Sequence, residues 1–262
     1  MKKVFFSDID GTLLKTNTPL HQNAAAAIRN FMALGGAFSL CTGRAAQAAE
    51  PLAKALEINL PCIVLGGALI YDFSAGRTLW EQPLHQSWRK LVQAVYENEP
   101  QVGITVYTKK QILSLRKDSR ILARGVAEDK NAPPCRLGDI DGDIYKILLT
   151  AEDTEVFPRI GEKYTDSRIF HLCPASPHFH EITDAAVNKG AAAKKLIELC
   201  GLVDSAVYAA GDGGTDLLLK NAASQFFAPE TAPQYIKDQA DFIFPPPIDG
   251  GIAAAIERAL TL

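Results

Sequence analysis

The sequence predicts an α/β fold: a Rossmann-like parallel sheet core with helices on both faces, into which a smaller α+β domain is inserted. Three observations predict it. From the first residues, short apolar runs alternate with stretches of helical periodicity, the pattern of βαβ units and a parallel sheet. Near residue 84 the rhythm becomes a helix, two strands and a polar stretch, then strand, helix, strand, strand. After Lys189 the first rhythm resumes. The core therefore maps to residues 1–83 and 184–262, and the insert to residues 84–183.

Taken in order, Val4-Phe5-Phe6-Ser7 reads as a buried strand. Thr18-Pro19 offers a cap followed by proline, a helix start, and that helix stops at Gly35-Gly36. Residues 37–41 form the second strand, and an Ala-rich helix ending at Leu56 follows Thr42-Gly43-Arg44. Residues 62–65 are the third strand, ending in Gly66-Gly67. Residues 68–71 and 77–80 form a hairpin about a polar turn. In the insert, helices fall at 86–97 and 154–164, with strands at 102–107, 111–115, 145–150 and 168–173. Beyond it, a helix runs to Cys200 and strands fall at 206–210, 226–228 and 241–244. Further helices begin at Thr215, near Tyr235 and at the C-terminal end.

Composition narrows the function. Of 262 residues, 47% are hydrophobic and 22% charged, enough apolar material for a sizeable core. A net charge of -3 argues against a nucleic-acid partner or an anionic membrane surface. No apolar run approaches a bilayer span, and Lys2-Lys3 leads into a strand rather than into the apolar stretch of a signal peptide. The five cysteines (Cys41, Cys62, Cys135, Cys173, Cys200) are scattered and lack metal-ligand spacing. Free thiols in a reducing cytoplasm are the expectation.

Four short segments stand just after a predicted core strand or at a helix start, where open α/β sheets bind ligands. The first, Asp8-Ile9-Asp10-Gly11-Thr12, delivers two carboxylates two residues apart to a strand's C-terminal edge. Such a pair suits a nucleophile working beside an acid/base. Thr42-Gly43-Arg44 offers a hydroxyl and a glycine that lets backbone amides approach an anion. Lys189-Gly190 brings a cation to a helix start. In Gly211-Asp212-Gly213-Gly214-Thr215-Asp216, two acids lie four apart across a Gly-Gly turn, with Thr215 as an N-cap for the helix beginning at Asp216.

The order and chemistry of these four segments resemble the haloacid dehalogenase superfamily of phosphohydrolases, most closely its Cof-like branch with an inserted α/β cap. The resemblance covers nearly the whole chain. It implies Asp8 as the nucleophile that forms an aspartyl phosphate, and Asp10 as the acid that protonates the leaving group and then activates water. It implies Thr42, Gly43 and Lys189 around the transferring phosphate. Mg²⁺ would be held by the Asp8 side chain, the Asp10 carbonyl and the Asp212 side chain, with Asp216 and Thr215 in support. Charge demands such cations: a phosphate dianion and a carboxylate at about 4 Å repel by roughly 4 kcal/mol per charge pair at an effective dielectric near 20. The substrate class implied is a small phosphorylated metabolite such as a sugar phosphate. At Gly66 and Thr215 the branch more often carries Asn.

Two rival functions share this scaffold. A phosphosugar mutase also uses an Asp-x-Asp pair, and a ligand-binding regulator could keep the fold without turnover. Among weaker features, Arg116, Lys117, Arg120 and Arg124 read as a solvated helix face. His178-Phe179-His180-Glu181 reads as a structural strand with both imidazoles on one face. Trp80, Trp88 and Tyr107 read as packing residues.

Overall fold

The computed structural model describes residues 2–124 and 127–262. The chain forms two compact units, Met1–Glu81 with Asn188–Leu262, and Gln82–Val187.

The first unit begins with β1 (Lys3–Ser7), α1 (Gln22–Ala33), β2 (Ala37–Leu40), α2 (Ala46–Leu56), β3 (Cys62–Val64), β4 (Leu69–Asp72) and β5 (Arg77–Glu81). The second contains α3 (Trp88–Asn98), β6 (Gly103–Thr108), β7 (Ile112–Arg116), α4 (Ser119–Arg124), α5 (Ala127–Asn131), β8 (Ile144–Thr150), α6 (Val156–Tyr164), β9 (Phe170–Ser176) and β10 (Phe179–Asp184). The chain then returns to the first unit through α7 (Lys189–Leu199) and β11 (Ala206–Ala210). It ends with β12 (Gln225–Pro229), α8 (Gln234–Lys237), β13 (Phe242–Phe244) and α9 (Ile252–Thr261).

Five strands of the first unit form one parallel sheet in the order β13-β12-β11-β1-β2. Period-two alternation buries both faces of β1. Val4 and Phe6 pack with Ala192, Ala193 and Leu196 of α7. Phe5 points the other way, stacking on Phe38 at 5.6 Å and meeting Phe31 of α1 edge-on at 6.1 Å. Helices thus cover both faces. The chain leaves β1 for β2 on one side and comes back to β11 on the other, which makes the tip of β1 the switch point where such sheets bind ligands.

Three sequence expectations for this unit are corrected. α1 starts at Gln22 rather than at Thr18-Pro19. The Thr18 hydroxyl instead bonds the Lys15 carbonyl at 2.6 Å in a turn, and His21 Nδ1 accepts from the Asn23 amide as the cap. The strand at residues 62–65 is not a full member of the parallel sheet: among the described residues β3 meets it at the isolated Cys41–Ile63 bridge and pairs antiparallel with β4, which pairs with β5. The segment after Thr215 is a 3₁₀ turn, Asp216–Asn221, and the Thr215 side chain makes no cap bond.

The second unit is an antiparallel sheet, β7-β6-β8-β10-β9, one face of which packs with α3 and α6 over Leu91, Val95, Ile104, Ile147, Phe157 and Ile182. Its basic stretch is not one helix face. Arg116 ends β7 and binds the carbonyls of Glu99, Val102 and Tyr96; Lys117 holds the Lys130 carbonyl and Arg120 pairs with Glu152. The side chain of Arg124 lies outside the described residues. His178 sits in the turn before β10, bonded to the Ala151 carbonyl, so the two imidazoles do not share a strand face. His180 stacks on Phe157 at 3.9 Å. Trp88 and Tyr107 are buried, and Trp80 packs against the first unit's core. All five cysteines are free thiols. Among the described residues, no helix is long and apolar enough to cross a membrane.

Candidate active site

Adjacent parallel strands end together, so the residues just past their tips become neighbours. Ser7 of β1 lies opposite Leu40 of β2 and Ala210 of β11. The next peptides extend the ladders: Asp8 N–H donates to the Ala210 carbonyl at 2.9 Å, and Cys41 N–H to the Ser7 carbonyl at 2.8 Å. Asp8, Thr42 and the Asp212 loop, far apart in sequence, therefore emerge side by side. Two glycines permit the crowding. Gly11 has φ +89°, and a Cβ there would fall 2.3 Å from Asp212 Oδ2. A Cβ on Gly211 would fall 2.1 Å from the Cβ of Asp216.

Lys189 enters from α7, whose N-terminus is capped by Asn188 Oδ1 accepting from the Ala191 amide at 2.8 Å. Its Nζ is 2.6 Å from Asp8 Oδ1 and 2.5 Å from Asp216 Oδ1, with all three side chains at least nine-tenths buried. Asp216 spends its other oxygen on the amides of Asp212 and Gly213, at 3.1 and 2.9 Å. Thr215 caps nothing: its backbone is already helical, φ −67° and ψ −24°, not the extended form from which an N-cap hydroxyl reaches the amides that follow. Asp216 thus orients both Lys189 and the Asp212 loop. Thr12, fully buried, donates its hydroxyl to Asp212 Oδ1 at 2.7 Å.

Oxygens of Asp8, Asp212 and Asp216 all lie within 4.8 Å of one another. Burial lifts the Asp8 carboxyl well above the usual range, and Asp216 and Asp212 add to it against the pull of Lys189. Asp212 is likewise pushed up, to about 6, by burial and by Asp216, against the Thr12 bond. Burial alone would lower the Lys189 ammonium, but Asp216 and Asp8 outweigh it and hold it well above the ordinary lysine range. Three carboxylates against one ammonium leave two negative charges when all are ionised. All-oxygen donors with that surplus fit a hard divalent cation such as Mg²⁺.

Asp10 and Thr42 are placed differently. Arg44 Nε and Nη2 grip the two carboxylate oxygens of Asp10 at 2.6 and 2.7 Å. Thr42 is buried, its hydroxyl accepting from the Arg44 amide at 3.1 Å, and Gly43 between them is half-buried. Gly66 N–H donates to the Thr42 carbonyl at 2.9 Å with φ at 69°, a left-handed backbone that Gly and Asn adopt most readily. The structure thus brings Asp8, Lys189, Asp212 and Asp216 into one contact set. Sequence reasoning assigned no task to Thr12 or to the Arg44 side chain. The signal for Thr12 was its place one residue past the glycine that lets Asp212 approach.

A parallel sheet that gathers an acid cluster around one buried lysine at its switch point is a hydrolytic α/β enzyme of the phosphoryl-transfer kind. Residues 5–256 match the family model of haloacid dehalogenase-like hydrolases, and the chain belongs to that family as a phosphomonoester hydrolase. It is 25% identical to a 5-amino-6-(5-phospho-D-ribitylamino)uracil phosphatase of Bacillus subtilis (strain 168), across 97% of this chain and 96% of that protein. A pyridoxal phosphate phosphatase of Escherichia coli (strain K12) is 23% identical, with 92% of each chain covered. Among solved structures, a sugar phosphatase of HAD subclass IIB superposes with a TM-score of 0.85 at 18% identity, over 99% of this chain and 100% of that one. This last likeness is one of fold.

Proposed function

We propose that this protein is a Mg²⁺-dependent phosphatase that hydrolyses a small phosphorylated metabolite through a phosphate carried on Asp8. The observation that carries the reading is the buried Lys189 ammonium, 2.6 Å from Asp8, with two further acids around it. Asp8 attacks phosphorus as the bond to the leaving oxygen breaks, and Asp10 gives that oxygen its proton. Water then attacks the aspartyl phosphate and passes a proton to Asp10. The bond to Asp8 breaks, inorganic phosphate departs, and Asp10 regains the proton it began with. Lys189, the Thr42 hydroxyl and the Gly43 amide bind the phosphoryl oxygens. Asp216, its oxygens taken by Lys189 and two amides, positions rather than reacts.

Asp8, Asp212 and the Asp10 carbonyl would hold Mg²⁺, which supplies positive charge to the phosphoryl oxygens when bound. The phosphatases similar to this chain are named for a ribityl phosphate and for pyridoxal phosphate, both small, which supports a metabolite over a phosphoprotein. Sugar phosphates are the first class to test. Five free thiols suit action in a reducing cytoplasm.

The test is phosphate release from a panel of phosphorylated sugars, polyols and cofactors, with Mg²⁺ and with a chelator. Release that needs Mg²⁺ and leaves no isomerised product is expected, which also separates hydrolysis from a mutase. No release from any compound by folded, Mg²⁺-supplemented protein rejects the reading.

A further inference from the structure

Asp10 has both carboxylate oxygens on a single guanidinium. The pair is partly open to solvent, with side-chain exposures of 22% for Arg44 and 28% for Asp10. Ion pairs there contribute little to stability. What a two-pronged contact supplies is direction: the planar fork fixes the carboxylate's plane as well as its distance. Both partners also stand on fixed backbone. The Arg44 amide is bonded to the Thr42 hydroxyl and its carbonyl accepts from Leu65 N–H at 2.8 Å. Asp10 begins a tight loop in which Gly11 N–H donates to the Leu14 carbonyl at 2.8 Å. The same loop, one residue on, carries Thr12 to Asp212.

We propose that Arg44 is a positioning residue for proton transfer, holding the ionised Asp10 carboxylate in the orientation from which it takes the proton of the attacking water. Arg44 acts through Asp10 and not on the substrate. The inference rests on the acid–base role proposed for Asp10. It predicts a coupling that a phosphate-binding arginine would not show.

The test is a double-mutant cycle on p-nitrophenyl phosphate hydrolysis with Mg²⁺, with melting followed in parallel. Arg44→Met should lower kcat about 10- to 100-fold, leave KM within about threefold and leave the melting temperature almost unchanged. Arg44→Lys keeps the charge but loses the fork, and should stay at least about fivefold below wild type. In an Asp10→Ala background, Arg44→Met should change the residual kcat by less than about twofold. A raised KM at unchanged kcat, or an equal fold loss with and without the Asp10 carboxylate, overturns the proposal and leaves the phosphatase reading standing. Wild-type kcat in Asp10→Ala rejects the acid–base role itself, and the task of Arg44 with it.

Discussion

Replacing Lys189 by Met removes the only ammonium among the described residues in contact with Asp8 and Asp216, at 2.6 and 2.5 Å, and leaves three carboxylates within 4.8 Å. Fully ionised, the cluster goes from 3 − 1 = 2 net negative charges to 3. Removing one partner of a buried pair costs about 3–5 kcal/mol, because the remaining charge stays desolvated. For a chain of this size that is a fall of roughly 6–20 °C in melting temperature, taking about 2–4 °C per kcal/mol. Calorimetry at pH 8 without divalent ions measures it. The loss should shrink as pH falls, because the carboxyls then take up protons. The sign follows from Asp212, whose folded value is raised from 3.8 to about 6. Its stabilising contribution is complete below 3.8 and is lost as pH rises through about 6. Mg²⁺ should also raise the melting temperature of the variant more than that of wild type, since it meets three surplus charges instead of two. A Lys189→Met protein that melts within about 2 °C of wild type at pH 8 would refute the charge argument.

Asp8→Asn keeps the side chain's shape and should abolish phosphate release while the far-ultraviolet dichroism stays native; measurable Mg²⁺-dependent turnover in a clean preparation counts against Asp8 as nucleophile. Gly211→Ala places a Cβ 2.1 Å from that of Asp216, so the Asp212 loop must move. We expect turnover to fall by about 100-fold or more, and the melting temperature to drop by several degrees. In the second unit, burial holds the His180 imidazole below its ordinary 6.5, and its Nδ1 has no hydrogen-bond partner among the described residues. Its contribution is present above 6.5 and is lost as pH falls through the depressed value. His180→Phe, which keeps the stack on Phe157, should therefore melt with less acid sensitivity between pH 7.5 and 5; identical pH profiles for the two proteins would contradict this.

Local patterning reveals most of the fold because the forces that set it act over a few residues. The run Val4-Phe5-Phe6 is apolar on both faces and so belongs to a covered strand. The helix break at Gly35 and the hairpin at residues 69–81 follow from turn chemistry visible in the sequence. Where nearby bonding options compete, local reading erred. Thr18 could cap a helix or close a turn on Lys15, and it closes the turn. Thr215 could cap the segment that follows, but its backbone takes the helical rather than the extended form and its hydroxyl makes no cap bond. The strand at residues 62–65 has the apolar pattern of a core strand, yet composition cannot say which edges a strand pairs with.

By itself the sequence determined the α/β class and the chemistry of its motifs, since hydrophobic period and motif composition are properties of the chain alone. Only the tertiary structure decided which charges meet. Lys189 lies 181 residues from Asp8 and Thr12 lies 200 from Asp212, and no local interaction spans such gaps. Strand order brings those residues to one edge. There, burial turns a scatter of ordinary acids into a cluster that one lysine leaves two charges short of neutral, while Arg44 takes Asp10 for itself.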